Sequence, residues 1–201
     1  MITKINKHTL FIEEVYSFTL PNFNFYKDKI KQIIRVEENI QSTAPDKQCN
    51  VVAQRTSWNS HQRYPIMYDL SQEISQIINQ FIQLEGYDIP NLEIQDCWIN
   101  WYKKDEYANP HDHGSVLSSV LFVDVKDTDA NFVFNSDKRA VFQKKDDTST
   151  NFNNLKILTP KDGTVIFFDG SVMHSVSANQ SNKERVTAAF NYRPEYLANR
   201  Y

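Results

Sequence analysis

Apolar and polar positions change their rhythm at Pro90. Before it, apolar residues recur mainly at helical spacing; after it they come in short runs broken by polar turns. Residues 9–20 alternate loosely and end at Pro21, which predicts a strand. A helix is then predicted over 24–39, with Phe25, Ile30, Ile33, Ile34 and Val36 on its buried side. The stretch 41–64 is polar and irregular and reads as loop. Past Pro65, Leu70, Ile74, Ile77, Ile78, Phe81 and Ile82 recur at i, i+3, i+4 and define a second, longer helix that Gly86 is placed to stop. Eight segments rich in Val, Ile, Phe, Tyr and Trp follow, at 92–103, 115–125, 131–135, 141–144, 155–159, 164–168, 174–178 and 184–193. Lys126–Ala130 and Lys144–Thr150 read as exposed turns. Eight short strands behind two helices predict a mainly β domain with α: a sandwich or jelly roll with the helices packed on one outer face.

Composition narrows the partners. A length of 201 residues suits one domain with a substantial core, and neither an internal repeat nor a linker marks a second one. The expectation is a single domain over 1–201, with 1–90 as helical support and variable loop and 91–195 as the β core. A net charge of -3 argues against a non-specific nucleic-acid binder. Cys49 and Cys97 lie far apart, form no metal-like pair and read as reduced thiols of a cytosolic protein. The first residues lack an apolar signal core, and no run approaches the roughly 18 apolar residues of a membrane span. A cytoplasmic chain with no membrane partner is expected (the host cytoplasm for a phage-encoded one); a homodimer is left open.

Histidines at 8, 61, 111, 113 and 174 are the first candidates for chemistry. On an extended strand His111 and His113 point to the same side, so two imidazoles can chelate one cation while Asp112 points away. His174 follows Gly163-Thr-Val-Ile-Phe-Phe-Asp-Gly170, an apolar strand between two turn glycines, which delivers a histidine at the open end of a core strand. Imidazole suits iron, zinc, copper and nickel alike. Three protein ligands leave coordination positions open, as catalysis requires. Arg185 comes eleven residues later, on a strand where Val186, Ala188 and Phe190 face away from it. Its planar fork can hold a carboxylate through two N–H donors. A return on the neighbouring antiparallel strand would bring it to the same cavity. Plainer readings are a chance surface pair of histidines and a surface arginine beside Glu184.

The order of these features resembles the 2-oxoglutarate- and Fe(II)-dependent oxygenases built on a double-stranded β-helix, and among them the small stand-alone oxygenases of bacteria and phages. The matching pieces are Trp98-Ile-Asn100, His111-Asp-His113-Gly-Ser-Val-Leu-Ser-Ser-Val-Leu-Phe, Pro160-Lys-Asp-Gly163-Thr-Val-Ile-Phe-Phe-Asp-Gly-Ser-Val-Met-His174-Ser-Val and Glu184-Arg185-Val-Thr-Ala-Ala-Phe-Asn191, over roughly 95–193. The resemblance implies a jelly-roll, cupin-like double-stranded β-helix with N-terminal helices on one face. It implies Fe(II) and 2-oxoglutarate as cofactors, and dioxygen and a small molecule or peptide as partners. The implied reaction is a hydroxylation coupled to oxidative decarboxylation of 2-oxoglutarate. By position, His111 becomes the first metal ligand, His174 the distal one, and Arg185 the partner of the far carboxylate of 2-oxoglutarate. Asn100, Ser118 and Asn191 become candidate cofactor contacts, with Trp98 in the pocket wall. At position 113 the commonest family pattern has a carboxylate and this chain has His113, so the implied catalytic centre is a three-histidine one: His111, His113 and His174.

Two other readings fit the same residues. One is a cupin-type dioxygenase with three histidines and no 2-oxoglutarate, although its usual first motif has a glutamate where Leu117 and Ser118 stand. The other is a non-enzymatic jelly-roll binding module with incidental or zinc-binding histidines. The segment 41–64, with Arg55, Trp58, His61 and Arg63, reads as a lid or substrate loop, or equally as a packed surface connection.

Overall fold

Two long strands show why the chain must build three layers. In the strand Thr164–Asp169, Val165 and Phe167 are buried on one face and Ile166 and Phe168 on the other. In Leu117–Asp124, Leu121 and Val123 likewise oppose Val120 and Phe122. Strands apolar on both faces need a cover on both. In a computed structural model, which describes residues 14–40, 50–125, 130–135 and 155–196, helices cover one face and a second sheet covers the other.

The elements in chain order are β1 (Val15–Thr19), α1 (Phe23–Ile40), β2 (Val51–Val52), β3 (Gln54–Arg55), α2 (Ser60–Arg63), α3 (Pro65–Glu85), β4 (Leu92–Tyr102), β5 (Tyr107–His111), β6 (Leu117–Asp124), β7 (Phe132–Asn135), β8 (Leu155–Leu158), β9 (Thr164–Asp169), β10 (His174–Val176) and β11 (Arg185–Pro194). A six-stranded sheet runs β1-β9-β6-β11-β4-β3 and a five-stranded sheet runs β2-β5-β10-β7-β8. Their ladders are antiparallel, and the two sheets form the double-stranded β-helix expected from the sequence, with the helices on the outer face of the larger sheet. Among the described residues no helix is long and apolar enough to cross a membrane.

The helices follow their stripes, with one correction. Tyr26, Ile30, Ile33, Ile34 and Glu37 form the buried face of α1. Phe25 and Val36, expected inside, are 55% and 49% exposed. Each lies one position off the stripe, a rotation of about 100° around the helix. Glu37 takes the inward place of Val36, accepting the Tyr64 hydroxyl and pairing with Arg63 at 2.8 Å; a buried carboxylate needs such partners. In α3, Pro65 opens the helix and Gly86 closes it in the left-handed region at φ 73°.

The stretch read as loop contains β2, β3 and α2 in its described part, and β5 ends at His111, where the extended strand read for His111–His113 was to begin. Two-residue strands have no periodicity to detect. β5 contains Asn109 and Pro110, which disfavour strand on local grounds. Proline is tolerated because the Asn109 N–H serves the β2 side, and on the β10 side the ladder shifts register at this point, between His174↔His111 and Val176↔Ala108. The predicted strand 141–144, the turn 144–150, most of the turn 126–130 and the stretch 41–49 lie outside the described residues.

Candidate metal centre

β5 ends and β10 begins at the site. His174 and His111 are register partners across that ladder, and their ring centroids lie 4.5 Å apart. His113 stands two residues beyond the end of β5, in a loop whose His113 N–H donates to the Gly170 carbonyl at 3.0 Å. That approach requires glycine: a Cβ on residue 170 would lie 2.2 Å from the Ser115 carbonyl oxygen. The strand has ended before His113, yet its ring still lies at 24° to that of His111, with centroids 5.4 Å apart. One ligating atom from each of the three rings falls within 4.8 Å of the others, and no carboxylate belongs to the group. Asp112 is turned away and its Oδ1 accepts the Gly114 N–H at 3.1 Å.

Hydrogen bonding sets the tautomers. His111 Nδ1 lies 2.6 Å from the Asn109 carbonyl oxygen and His174 Nδ1 lies 3.0 Å from that of Val172. A carbonyl only accepts, so both Nδ1 atoms carry the proton and both Nε2 atoms keep a lone pair. His113 Nδ1 lies 2.7 Å from Asn191 Oδ1, with the same consequence. Burial lowers all three pKa values, His113 to about 4 and His174 to about 3, and for these two the neighbouring imidazoles add to the effect. The rings are therefore neutral near pH 7, the form that binds a metal. His174 is 2% exposed and is held by Phe132, stacked at 5.2 Å, and by Phe168, edge-on at 5.2 Å.

The larger sheet supplies the other wall. Period-2 alternation sends Val186, Ala188, Phe190 and Tyr192 of β11 into the helix-side core, and Arg185 and Asn191 to the opposite face. Arg185 is 1% exposed, with its guanidinium 5.4 Å from the centre of the Phe122 ring. Its Nε and one terminal nitrogen have no hydrogen-bond partner. Desolvation pushes its pKa down to about 10, which leaves it cationic at neutral pH. Phe122 meets Phe132 edge-on at 5.8 Å, and Phe132 stacks on His174, so two aromatic rings connect the arginine to the histidine cluster.

The route from His174 to Arg185 differs from expectation. β10 and β11 are not neighbours; they belong to opposite sheets. The connection crosses the edge of the sandwich and is pinned by Asn179, whose Nδ2 donates to the carbonyls of Tyr102 at 3.1 Å and Lys183 at 2.7 Å. Arg185 thus stands on the sheet opposite His174, as the register partner of Tyr102.

Other candidates divide. Ser118 Oγ lies 3.0 Å from His113 Nδ1 and Asn191 Oδ1 lies 2.7 Å from it, so both side chains reach the third histidine. Asn100 is buried and its Oδ1 has no hydrogen-bond partner. The Trp98 ring lies 5.4 Å from that of His113. Of the suspected lid residues, Arg55 lies 4.2 Å over the Trp58 ring, and Trp58 meets Trp98 at 4.3 Å, so this pair continues the wall outward. His61 instead lies beside Cys97 and Arg63 pairs with Glu37, both away from the histidines. Sequence reasoning missed Phe122, Phe132 and Tyr102; only the strand period, once Asn100 and Arg185 are placed, points to Tyr102.

Residues 96–191, which run from β4 into β11, match the model of a family described as "Putative 2OG-Fe(II) oxygenase". The fold is similar to a prolyl-4-hydroxylase of Pseudomonas putida, with a TM-score of 0.63, 13% identity, and coverage of 91% of this chain and 94% of that one. It is also similar to the viral collagen prolyl hydroxylase of Paramecium bursaria Chlorella virus-1 in its 2OG complex, with a TM-score of 0.61, 14% identity, and coverage of 90% and 96%. A third likeness is to HygX of Streptomyces hygroscopicus with nickel and 2-oxoglutarate bound, with a TM-score of 0.61, 12% identity, and coverage of 90% and 83%. At such identities the likeness is one of fold. No curated protein matches the chain. The family match takes in the strands and loops that carry all three histidines and Arg185, and the fold around them is shared with 2-oxoglutarate-dependent oxygenases of solved structure.

Proposed function

We propose that the chain is a non-haem Fe(II) dioxygenase that couples oxidative decarboxylation of 2-oxoglutarate to hydroxylation of a second substrate, a small molecule or a peptide. The carrying observation is Arg185: a buried guanidinium with two nitrogens lacking hydrogen-bond partners, joined through the Phe122 and Phe132 rings to three converging imidazoles. A buried cation without a counter-ion is costly, and a carboxylate from a ligand would relieve that cost. A three-histidine dioxygenase acting without 2-oxoglutarate would leave those donors unused.

On this reading His111, His113 and His174 hold the metal through Nε2, and Arg185 holds the far carboxylate of 2-oxoglutarate. Bound together, Fe(II) and 2-oxoglutarate would supply dioxygen activation, with succinate and carbon dioxide as co-products. The chain's own contribution is orientation and a dry wall. Phe122, Phe132 and Phe168 exclude water behind His174 and Arg185, which strengthens the ionic contact made there. Asn100 Oδ1 offers a buried acceptor on β4, the strand paired with the β11 strand of Arg185. Trp98 and Trp58 form the wall along which the second substrate would approach His113.

Anaerobic titration with Fe(II) and 2-oxoglutarate tests the reading. A weak visible charge-transfer band should require both and should be lost in Arg185→Ala. No band in the wild-type chain, or undiminished 2-oxoglutarate binding in the variant, would sink it. Screening substrate pools for coupled succinate formation then identifies the second substrate.

A further inference from the structure

The three imidazoles are not held alike. His111 and His174 are each oriented by a carbonyl two residues earlier in their own segment, Asn109 and Val172. His113 has no such local partner. Its Nδ1 reaches Asn191 Oδ1 on β11, 78 positions away in sequence and on the other sheet. Ser118 donates to the same Asn191 oxygen at 3.0 Å, and its own oxygen lies 2.9 Å from Ser115 Oγ. Ser118 and Asn191 are both buried. The amide oxygen therefore has both of its lone pairs engaged, one by the imidazole N–H and one by the serine hydroxyl.

Resting on the metal reading above, we infer that Asn191, with Ser118, is a positioning residue for the metal centre: it fixes the third ligand's tautomer and orientation through an uncharged acceptor. Ring partners beyond the ligating nitrogens raise ligand basicity and fix ring orientation, and carboxylates do so most strongly. Here the three ring partners are two carbonyls and an amide, and no carboxylate stands among the ligands. The positive charge of a bound divalent ion is then left for a dianionic co-substrate to balance. The role is distinct from contact with 2-oxoglutarate, since it is exercised by the Asn191 oxygen, which accepts from His113 and Ser118.

The test uses the full-length, metal-free chain with Co(II) as the probe, measuring affinity by calorimetry and the d–d spectrum, with circular dichroism to check the fold. Asn191→Ala should weaken Co(II) about 10–100-fold and broaden its spectrum, and Ser118→Ala should do so less. Asn191→Asp keeps the shape and adds a charge. It should tighten Co(II) binding beyond wild type, shift the d–d spectrum and lower the affinity of the Co(II)-loaded chain for 2-oxoglutarate. If Asn191→Ala binds Co(II) like wild type and loses only 2-oxoglutarate affinity, Asn191 belongs to the co-substrate wall and the inference is overturned. Should Asn191→Ala fail to fold, Asn191→Asp decides: Co(II) affinity and spectrum both unchanged from wild type would also overturn it. A wild-type chain that takes up no Co(II) is a distinct result, which removes the metal reading and this assignment with it.

Discussion

His111 and Trp98 approach the same imidazole from opposite sheets: the ring of His113 lies 5.4 Å from each of them. The cluster is therefore completed by packing across the sandwich rather than within one ladder. The consequences can be measured at each contributing position.

Removing His174 should remove the site. It is the most buried of the three rings and the register partner of His111. Metal affinity in His174→Ala should fall by more than the ~100-fold typical of losing an outer partner. Co(II) calorimetry on the metal-free chain reads this, and retained affinity would refute the three-histidine assignment.

Arg185 should show opposite signs in stability and binding. Replacing a buried cation that lacks hydrogen-bond partners on two nitrogens with an apolar side chain relieves desolvation, so Arg185→Leu should leave the ligand-free melting temperature unchanged or raised. The same change should weaken 2-oxoglutarate by about 2–5 kcal/mol, the usual cost of truncating one partner of a buried charged pair. Calorimetry on the metal-loaded chain and a thermal melt without ligand separate the two; a strongly destabilised variant with intact affinity contradicts the assignment.

Gly170→Ala should disturb His113 without touching it. The added methyl would meet the Ser115 carbonyl oxygen at 2.2 Å, in the loop whose His113 N–H is bonded to residue 170. Overpacking of this kind costs about 1–3 kcal/mol. The expected result is a lower melting temperature together with weaker Co(II) binding, and a variant unchanged in both would show that the loop does not depend on this contact.

Acid should destabilise the metal-free chain through its histidines. Their folded pKa values lie below the unfolded value, with His113 at about 4 and His174 at about 3. Above pH ~6.5 the rings are neutral in both states and contribute no pH dependence. Below it the unfolded chain takes up protons that the folded chain refuses, so stability falls as pH drops toward 4. Urea unfolding at pH 7 and pH 5 should show the loss, and His174→Ala should show less of it. Identical pH dependence in the two chains would mean that His174 is not buried in its neutral form.

The sequence by itself determined the elements whose signal is local. The helix from Pro65 to Gly86, the apolar β9, and the histidines and arginine as candidates were legible because periodicity, caps and residue chemistry are written within a few neighbouring positions. The resemblance carried the double-stranded β-helix. Tertiary structure decided what depends on pairing over long separations. β5 exists, despite Pro110, because β2 and β10 pair with it. Phe25 and Val36 turn outward because the packing of α1 chose a face one position away. Arg185 lies on the sheet opposite His174, and Asn191 and Ser118 meet His113 instead of standing free. A strand's period tells which residues share a face. It does not tell which other strand that face will meet, since that choice is made by burial summed over the whole chain.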